Sequence, residues 1–273
     1  MENQIIFEKQ DLKYLSWDKL RKSSGTAGSF LKSYSEISGI KTYYKLSNYD
    51  TINGVIGYEC INEIIVDRLL TLLGVEHLSY QLINAEIVID EKTIKTYLCA
   101  SENFRTKYED KQALDVYYQN EKLESETPLQ FCARLGFEEY IYTMLVIDFL
   151  ILNRDRHGAN IEILRDKKKK TLRLAPLFDH GLSLLFNCYS DKDIENFDVL
   201  ADLPVQCFVG SRSAKDNLNL IPKNKMPKLN PIRESDKEFI LQGLDEIVPT
   251  KMLEKIWEMI WKRWCYYEDF CNT

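Results

Sequence analysis

Apolar residues recur at helical spacing over three stretches of this chain and alternate with polar ones over several shorter stretches. Across residues 57–73, Ile61, Ile64, Ile65, Leu69 and Leu72 share one face and Gly74 stands at a natural C-cap, which predicts a helix. Phe137, Ile141, Met144, Leu145, Phe149 and Leu152 form a second apolar face that runs straight into Asn153. Towards the C-terminus, Leu253, Ile256, Trp257, Ile260, Trp261 and Trp264 form an aromatic-rich stripe, which reads as a packing surface. Alternation predicts strands over residues 42–46, 81–89 and 94–99, with Asp90-Glu91-Lys92 turning the second into the third. Residues 161–164 and 172–175 alternate as well and are joined by a charged turn, so a second hairpin is expected. Residues 1–103 therefore mix short strands with one good helix. From residue 104 onward the chain reads as mainly helical, with a Pro-punctuated loop over residues 222–231.

Composition narrows the classes. A length of 273 residues allows one large domain or two modest lobes, and 45% hydrophobic with 29% charged residues is ordinary for a globular protein. A net charge of −6 argues against general nucleic-acid binding, and the one long basic run, residues 167–170, reads as a solvated hairpin tip. The seven cysteines contain no CxxC pair and their odd number cannot all pair internally. With no signal peptide this predicts reduced thiols and a cytoplasmic protein. The three histidines are not at finger spacing with the cysteines, so structural zinc is not expected. The apolar run of residues 140–152 is interrupted by Asp148 and too short to span a bilayer, so no membrane partner is expected.

Chemistry concentrates in two pieces, Asn153-Arg154-Asp155-Arg156-His157-Gly158-Ala159-Asn160 and Phe178-Asp179-His180-Gly181. Asp155 can accept or orient a hydroxyl proton, while Asn160 and Asp179 supply hard oxygen ligands to Mg²⁺. The hairpin between the pieces would bring all three to one end, the layout of the catalytic and metal loops of a kinase. Upstream, residues 23–29 (Ser-Ser-Gly-Thr-Ala-Gly-Ser) form the one small-residue loop suited to phosphates. Ser24, Gly25, Thr26, Ala27 and Gly28 offer backbone N–H groups and hydroxyls, without the GK[ST] ending of a Walker loop. Lys45 closes a strand from which an ammonium can reach the α- and β-phosphates. Glu59 and Glu63 lie one turn apart on the following helix, and Glu63, deeper in the apolar pattern, is favoured as the partner of Lys45. The texture changes after residue 103, so Cys99, Ala100, Ser101 and Glu102 are expected to form a hinge whose backbone meets adenine.

The NRDRHGAN and APLFDHG motifs, with the SSGTAGSFLK loop and the YYKLS strand, resemble HipA-like serine/threonine kinases over residues 20–220. The two later motifs are the specific part of the match. The resemblance implies an α+β, bilobal protein-kinase-like fold: a small mixed-sheet N-lobe with one helix (residues 1–103) and a larger, mainly helical C-lobe (residues 104–273). It implies phosphorylation of a protein Ser/Thr by Mg-ATP, with Asp155 catalytic, Asn160 and Asp179 as magnesium ligands, Lys45 on the phosphates and His157 ordering the catalytic loop. It further implies autophosphorylation at Ser23, Ser24 or Thr26, and a neutralising antitoxin or regulatory protein as partner. The extra N-terminal subdomain of HipA toxins has no room ahead of residue 20, and the eukaryotic DFG becomes Phe178-Asp179-His180-Gly181. Two other readings stay open: a small-molecule (aminoglycoside-type) or lipid-headgroup phosphotransferase, and a non-catalytic nucleotide-binding scaffold. The acidic residues Asp191, Asp193, Glu195, Asp198 and Asp202 suit a cationic acceptor and disfavour an anionic headgroup.

Overall fold

The alternating stretches of the first part of the chain pair into one five-stranded sheet. The computed structural model describes residues 4–17 and 30–272, together with the backbone of residues 22–23 and 26–27. Its first elements are β1 (Ile5–Asp11), β2 (Lys22–Ser23), β3 (Thr26–Ala27), β4 (Lys32–Ile37), β5 (Ile40–Leu46), β6 (Tyr49–Asp50), β7 (Gly54–Val55), α1 (Glu59–Leu73), β8 (Gln81–Ile89) and β9 (Lys92–Glu102). The sheet order is β1-β8-β9-β5-β4. β1 runs parallel to β8 and the other pairings are antiparallel, so the sheet is mixed. The predicted β8–β9 hairpin closes where Asp90 and Glu91 both take positive φ, the handedness that matches strand twist. β1 and β4 are absent from the alternation reading. Their sequences carry little period-2 signal, and pairing with β8 and β5 holds them extended.

Helix α1 ends at Gly74, whose φ of 73° lets its N–H reach the carbonyls of Leu70 and Thr71. It is buried on nearly every side, because it lies between the sheet and the helical half of the molecule. That position forces its polar residues to find partners. Glu59, Glu63 and Asp67 sit four residues apart on one face and are all buried. Asp67 accepts the Tyr80 N–H at 2.6 Å and a Gln4 side-chain N–H at 2.9 Å, tying the helix to the β8 end of the sheet.

The second part contains β10 (Glu109–Ala113), α2 (Leu114–Glu121), α3 (Pro128–Arg134), α4 (Glu138–Ile151), β11 (Asp155–Arg156), β12 (Glu162–Asp166), β13 (Thr171–Leu174), α5 (Asp191–Asn196), β14 (Gln206–Cys207), α6 (Ala214–Leu218), α7 (Asp236–Leu241) and α8 (Thr250–Asn272). β12 and β13 are the expected hairpin, and β10 joins β12 to make three strands. The region after residue 104 is thus less uniformly helical than its composition implies. Glu-Asp-Lys-Gln-Ala has no strand-like alternation, and its neighbour β12 determines its conformation. One large core joins Ile5 and α1 to α3, α4 and α8, while a smaller one lies on the outer face of the sheet beneath Leu12 and Leu15.

The α8 stripe is core: Leu253, Ile256, Trp257, Ile260 and Trp264 are buried, and Trp261 stacks on Trp257 at 6.0 Å. Its one buried cation is Arg263. The guanidinium donates to the carbonyls of Val199 (2.8 Å), Phe149 (2.9 Å) and Ala201 (2.7 Å), and burial pushes its pKa down to about 10. Arg263→Ala would leave three buried carbonyls unpaired beside a new cavity. We expect a loss of about 3–5 kcal/mol, read as a lower urea midpoint at unchanged m-value.

Candidate active site

Alternation along β5 sends the Lys45 side chain to the sheet face that α1 covers, and its ammonium is therefore enclosed, with 13% of the side chain exposed. Two carboxylates receive it. Glu63 Oε1 of α1 lies 3.1 Å away, and Asp179 Oδ1 of the loop after β13 makes a close ion pair. Burial alone would lower the Lys45 pKa, but Asp179 and Glu63 outweigh it and hold the group well above its ordinary value. Burial works on Asp179 in the opposite sense, and there Lys45 and then Lys32 win, keeping the carboxyl ionised far below the usual range. For Glu63 burial dominates the pull of Lys45 and raises the pKa. Glu63 Oε2 also accepts the His180 N–H at 2.9 Å, so one carboxylate links strand, helix and metal loop. Glu59, the other glutamate weighed for this role, turns its Oε2 to the Asn48 N–H at 2.9 Å.

The Phe178–Gly181 segment is shaped to approach this ion pair. Phe178 packs on Phe104 at 5.7 Å between ring centroids, and Asp179 takes a φ of 59°, with its N–H donating to Tyr80 Oη at 3.3 Å. A Cβ on Gly181 would lie 3.0 Å from Glu59 Cβ and 3.4 Å from Lys45 Nζ, a close approach that favours a bare backbone there. Asn62 of α1 donates to the carbonyls of Gly181 and Ser183, both at 2.9 Å. His180 is buried, and burial together with Arg156 drives its pKa well below the ordinary imidazole value, so it is neutral at pH 7.

The Asn153–Asn160 segment begins where α4 stops at Leu152, in left-handed conformation with φ 49°. Asn153 bridges backwards to Asp148 (2.9 Å) and forwards, through its Oδ1, to the Asp155 N–H (3.1 Å). The Asn160 side-chain N–H₂ donates to the Asp155 carbonyl at 2.7 Å, which leaves its Oδ1 as the outward acceptor. His157 Nδ1 accepts the Ala159 N–H at 3.2 Å, and its Nε2 stands 3.6 Å from Asp155 Oδ2. Burial raises the Asp155 pKa, His157 offsets part of that, and Asp179 adds to the rise. The structure therefore brings Asp155, Asn160, Asp179, Lys45 and Glu63 into one connected cluster.

The donor set suits magnesium. Among the described residues no group of three or more His, Cys, Asp or Glu side chains forms a metal cage. One carboxylate and one amide oxygen are hard ligands that leave several positions for phosphate oxygens and water. Asn160 and Asp179 would hold the ion.

The segment expected to meet adenine, Cys99 to Glu102, is the end of β9. Cys99 and Ala100 are paired on both sides, to Lys45 and Tyr44 of β5 and to Leu82 and Gln81 of β8, so the sheet consumes their backbone groups. β8 pairing ends at Ala100, and Ser101 and Glu102 continue against β5 alone, which leaves the open edge from Ser101 onward. A cleft of about 340 Å³ lies there, between residues 100–104 and residues 78–81 with Thr42 at its rim; Lys45 and Asp179 do not line it. Of the small-residue loop, Ser24, Gly25, Gly28 and Ser29 lie outside the described residues, while Ser23 and Thr26 face each other in the β2–β3 ladder.

Sequence reasoning missed four participants. Arg156, fully buried, holds Asp148, and Tyr80 supports the metal loop. Lys32 stands opposite Lys45 in the β4–β5 register and so on the same face. Asp179 pulls its pKa up, but desolvation and Lys45 leave it below the ordinary lysine value. A lone Asp148 inside the apolar α4 face was the available signal, since a buried charge demands a partner. The acidic run of residues 191–202 is engaged locally. Lys251 meets Asp191 and Glu195, Asp193 caps α5 through Ser190, Asp198 accepts the Leu200 N–H, and Asp202 bonds Ser213. Asp191 and Glu195 nonetheless stay largely exposed.

Solved structures share this architecture. The proinflammatory kinase CtkA of Helicobacter pylori matches with a TM-score of 0.59 over 93% of this chain and 93% of its own, at 15% identity. A looser likeness, TM-score 0.43 at 15% identity, links 88% of this chain to 56% of a chain in the Shewanella oneidensis MR-1 complex of HipA, HipB and operator DNA. No family model and no curated protein matches the chain. The fold is that of a kinase: α+β and bilobal, with a mixed sheet packed on one helix and a larger, mostly helical body. Among the described residues no helix is long and apolar enough to cross a membrane, and all seven cysteines are free thiols.

Removing the buried ammonium tests this electrostatic arrangement. In the intact protein the depressed Asp179 pKa contributes stability that is present above the unfolded carboxyl value and lost as pH falls through the folded one. Lys45→Met leaves Asp179 and Glu63 enclosed without their cation, which reverses the sign. Its thermal unfolding midpoint should rise as pH is lowered from about 7 towards about 5, where the carboxyls protonate, and by more than in the parent, where Lys45 keeps Asp179 ionised and only the raised pKa of groups such as Glu63 favours acid.

Proposed function

We propose that this chain is an ATP- and Mg²⁺-dependent kinase that transfers the γ-phosphoryl group to a Ser or Thr hydroxyl of a protein. The ion-paired contact of Lys45 with both Glu63 and Asp179 carries this reading, since it joins the phosphate-binding strand to the metal loop. The raised Asp155 pKa favours proton acceptance, and the NRDRHGAN and APLFDHG motifs favour a protein acceptor.

Lys45 would lie against the α- and β-phosphates, and the backbone from Ser101 onward would meet the adenine edge. Asn160 and Asp179 would hold magnesium, which would supply positive charge against the charge that develops on the transferred phosphoryl group. Asn160 would offer its Oδ1 and Asp179 a carboxylate to that ion, while Asp155 orients the acceptor hydroxyl and takes its proton. The bond from the γ-phosphorus to the bridging oxygen breaks as the bond to the acceptor oxygen forms, and ADP leaves. His157 orders the catalytic loop and stands beside Asp155. Ser23, Ser24 and Thr26 are the candidate self-phosphorylation sites, and a regulatory or antitoxin-like protein is the partner this reading anticipates, in a reduced cytoplasmic setting.

Labelled ATP incubated with the protein, and with peptide mixtures, should transfer label to Ser or Thr. Asp155→Asn should lower that transfer by roughly 10²-fold or more while Mg-ATP still raises its unfolding temperature. Undiminished transfer by Asp155→Asn would sink the assignment. A clear Mg-ATP shift with no label transfer by the parent protein would favour the scaffold reading.

A further inference from the structure

Arg156 occupies an unusual place for a charged residue. Its side chain is 1% exposed, at the centre of the junction between α4, the catalytic loop and the metal loop. The Nε and Nη2 groups donate to Asp148 Oδ2 and Oδ1, each at 2.9 Å, and Asn153 steadies the same carboxylate. The remaining arm reaches two carbonyls: Nη1 donates to Asn160 at 3.2 Å and to Phe178 at 3.0 Å. One belongs to a magnesium-ligand residue itself, and the other to the residue immediately before the second ligand, Asp179. A planar guanidinium with donors in a fixed fork thus spans the gap between the two ligand-bearing backbones. An ammonium on a flexible stem cannot fill several such positions together. The Arg156 backbone is held separately, because its carbonyl accepts the Phe208 N–H at 2.9 Å and β11 pairs with β14. The side chain is therefore not needed to keep the strand in place.

We propose that Arg156 is a positioning residue that sets the spacing of Asn160 and Asp179, so that both ligands reach one divalent cation. This rests on the kinase reading above. Loss of the fork would let the two loops drift apart. It would weaken metal binding in the nucleotide complex without weakening metal-free nucleotide binding, because Lys45 keeps its place on β5 and its partner Glu63, and the edge from Ser101 onward is held by the sheet.

Mn²⁺ serves as the probe, titrated by electron paramagnetic resonance against the full-length protein saturated with a non-hydrolysable ATP analogue. Calorimetry with the same analogue in chelator measures metal-free binding. For Arg156→Lys the Mn²⁺ affinity should fall by roughly 10- to 100-fold, with metal-free nucleotide affinity changed by no more than about twofold. Arg263→Lys, which disturbs a buried guanidinium that bonds Val199, Ala201 and Phe149 and neither loop, should lower thermal stability and leave Mn²⁺ affinity alone. Should Arg156→Lys fail to fold, Asp148→Asn frees the same fork from its anchor and should weaken Mn²⁺ binding in the same selective way. Unchanged Mn²⁺ affinity, or equal loss of metal and nucleotide binding, in the folded variant overturns the proposal while leaving the kinase reading intact. A parent protein that binds neither analogue nor Mn²⁺ overturns both.

Discussion

The enclosed ammonium of Lys45 governs the rest of the molecule. Taking one cation and two carboxylates out of water is costly, and the cost is offset only where each remaining lone pair is satisfied and the geometry is held from several directions. The protein meets that condition with three separate elements. β5 supplies the lysine, α1 supplies Glu63, and the loop after β13 supplies Asp179. Glu63 also takes the His180 N–H on its second oxygen, and Tyr80 accepts the Asp179 backbone N–H, which holds the loop that carries the second anion. Any shift of α1 along the sheet would break this cluster, which makes helix position and site geometry one property.

That dependence explains why α1 is so polar for a helix with so little exposure. Its carboxylates at four-residue intervals reach successive levels of the sheet: Glu59 the turn after β5, Glu63 the lysine, Asp67 the start of β8. Buried arginines perform the matching task for loops. Arg68 donates to Ile240 and Gln242, Arg263 to Val199, Ala201 and Phe149, and Arg156 to Asn160 and Phe178. Irregular backbone inside a protein has carbonyls with no ladder partner, and a guanidinium fork can satisfy two or three of them. At Arg156 those carbonyls happen to flank the chemistry.

A kinase-like architecture at 15% identity to its CtkA counterpart shows how little of a fold resides in particular side chains. Core positions accept any apolar residue of suitable volume, whereas the contacts near the cation do not. Gly181 illustrates the difference: a Cβ there would lie 3.0 Å from Glu59 Cβ, so close approach, rather than local turn preference, favours glycine.

Local periodicity was enough to reveal α1, α4, α8 and the β8–β9 and β12–β13 hairpins, because helix and strand periods are written in neighbouring residues. The chemical type of Asp155, Asn160 and Asp179, and their order, were legible for the same reason. β1, β4 and β10 were not, since their strand form comes from partners distant in the chain. Choosing Glu63 over Glu59, ending the β8 pairing of β9 at Ala100, and turning Asp148 towards Arg156 likewise required the assembled molecule. The amino-acid order determined which groups exist and which short segments carry them. Only packing between remote segments decided which of those groups share a desolvated space, because electrostatic pairing and backbone satisfaction depend on distances that no linear pattern encodes.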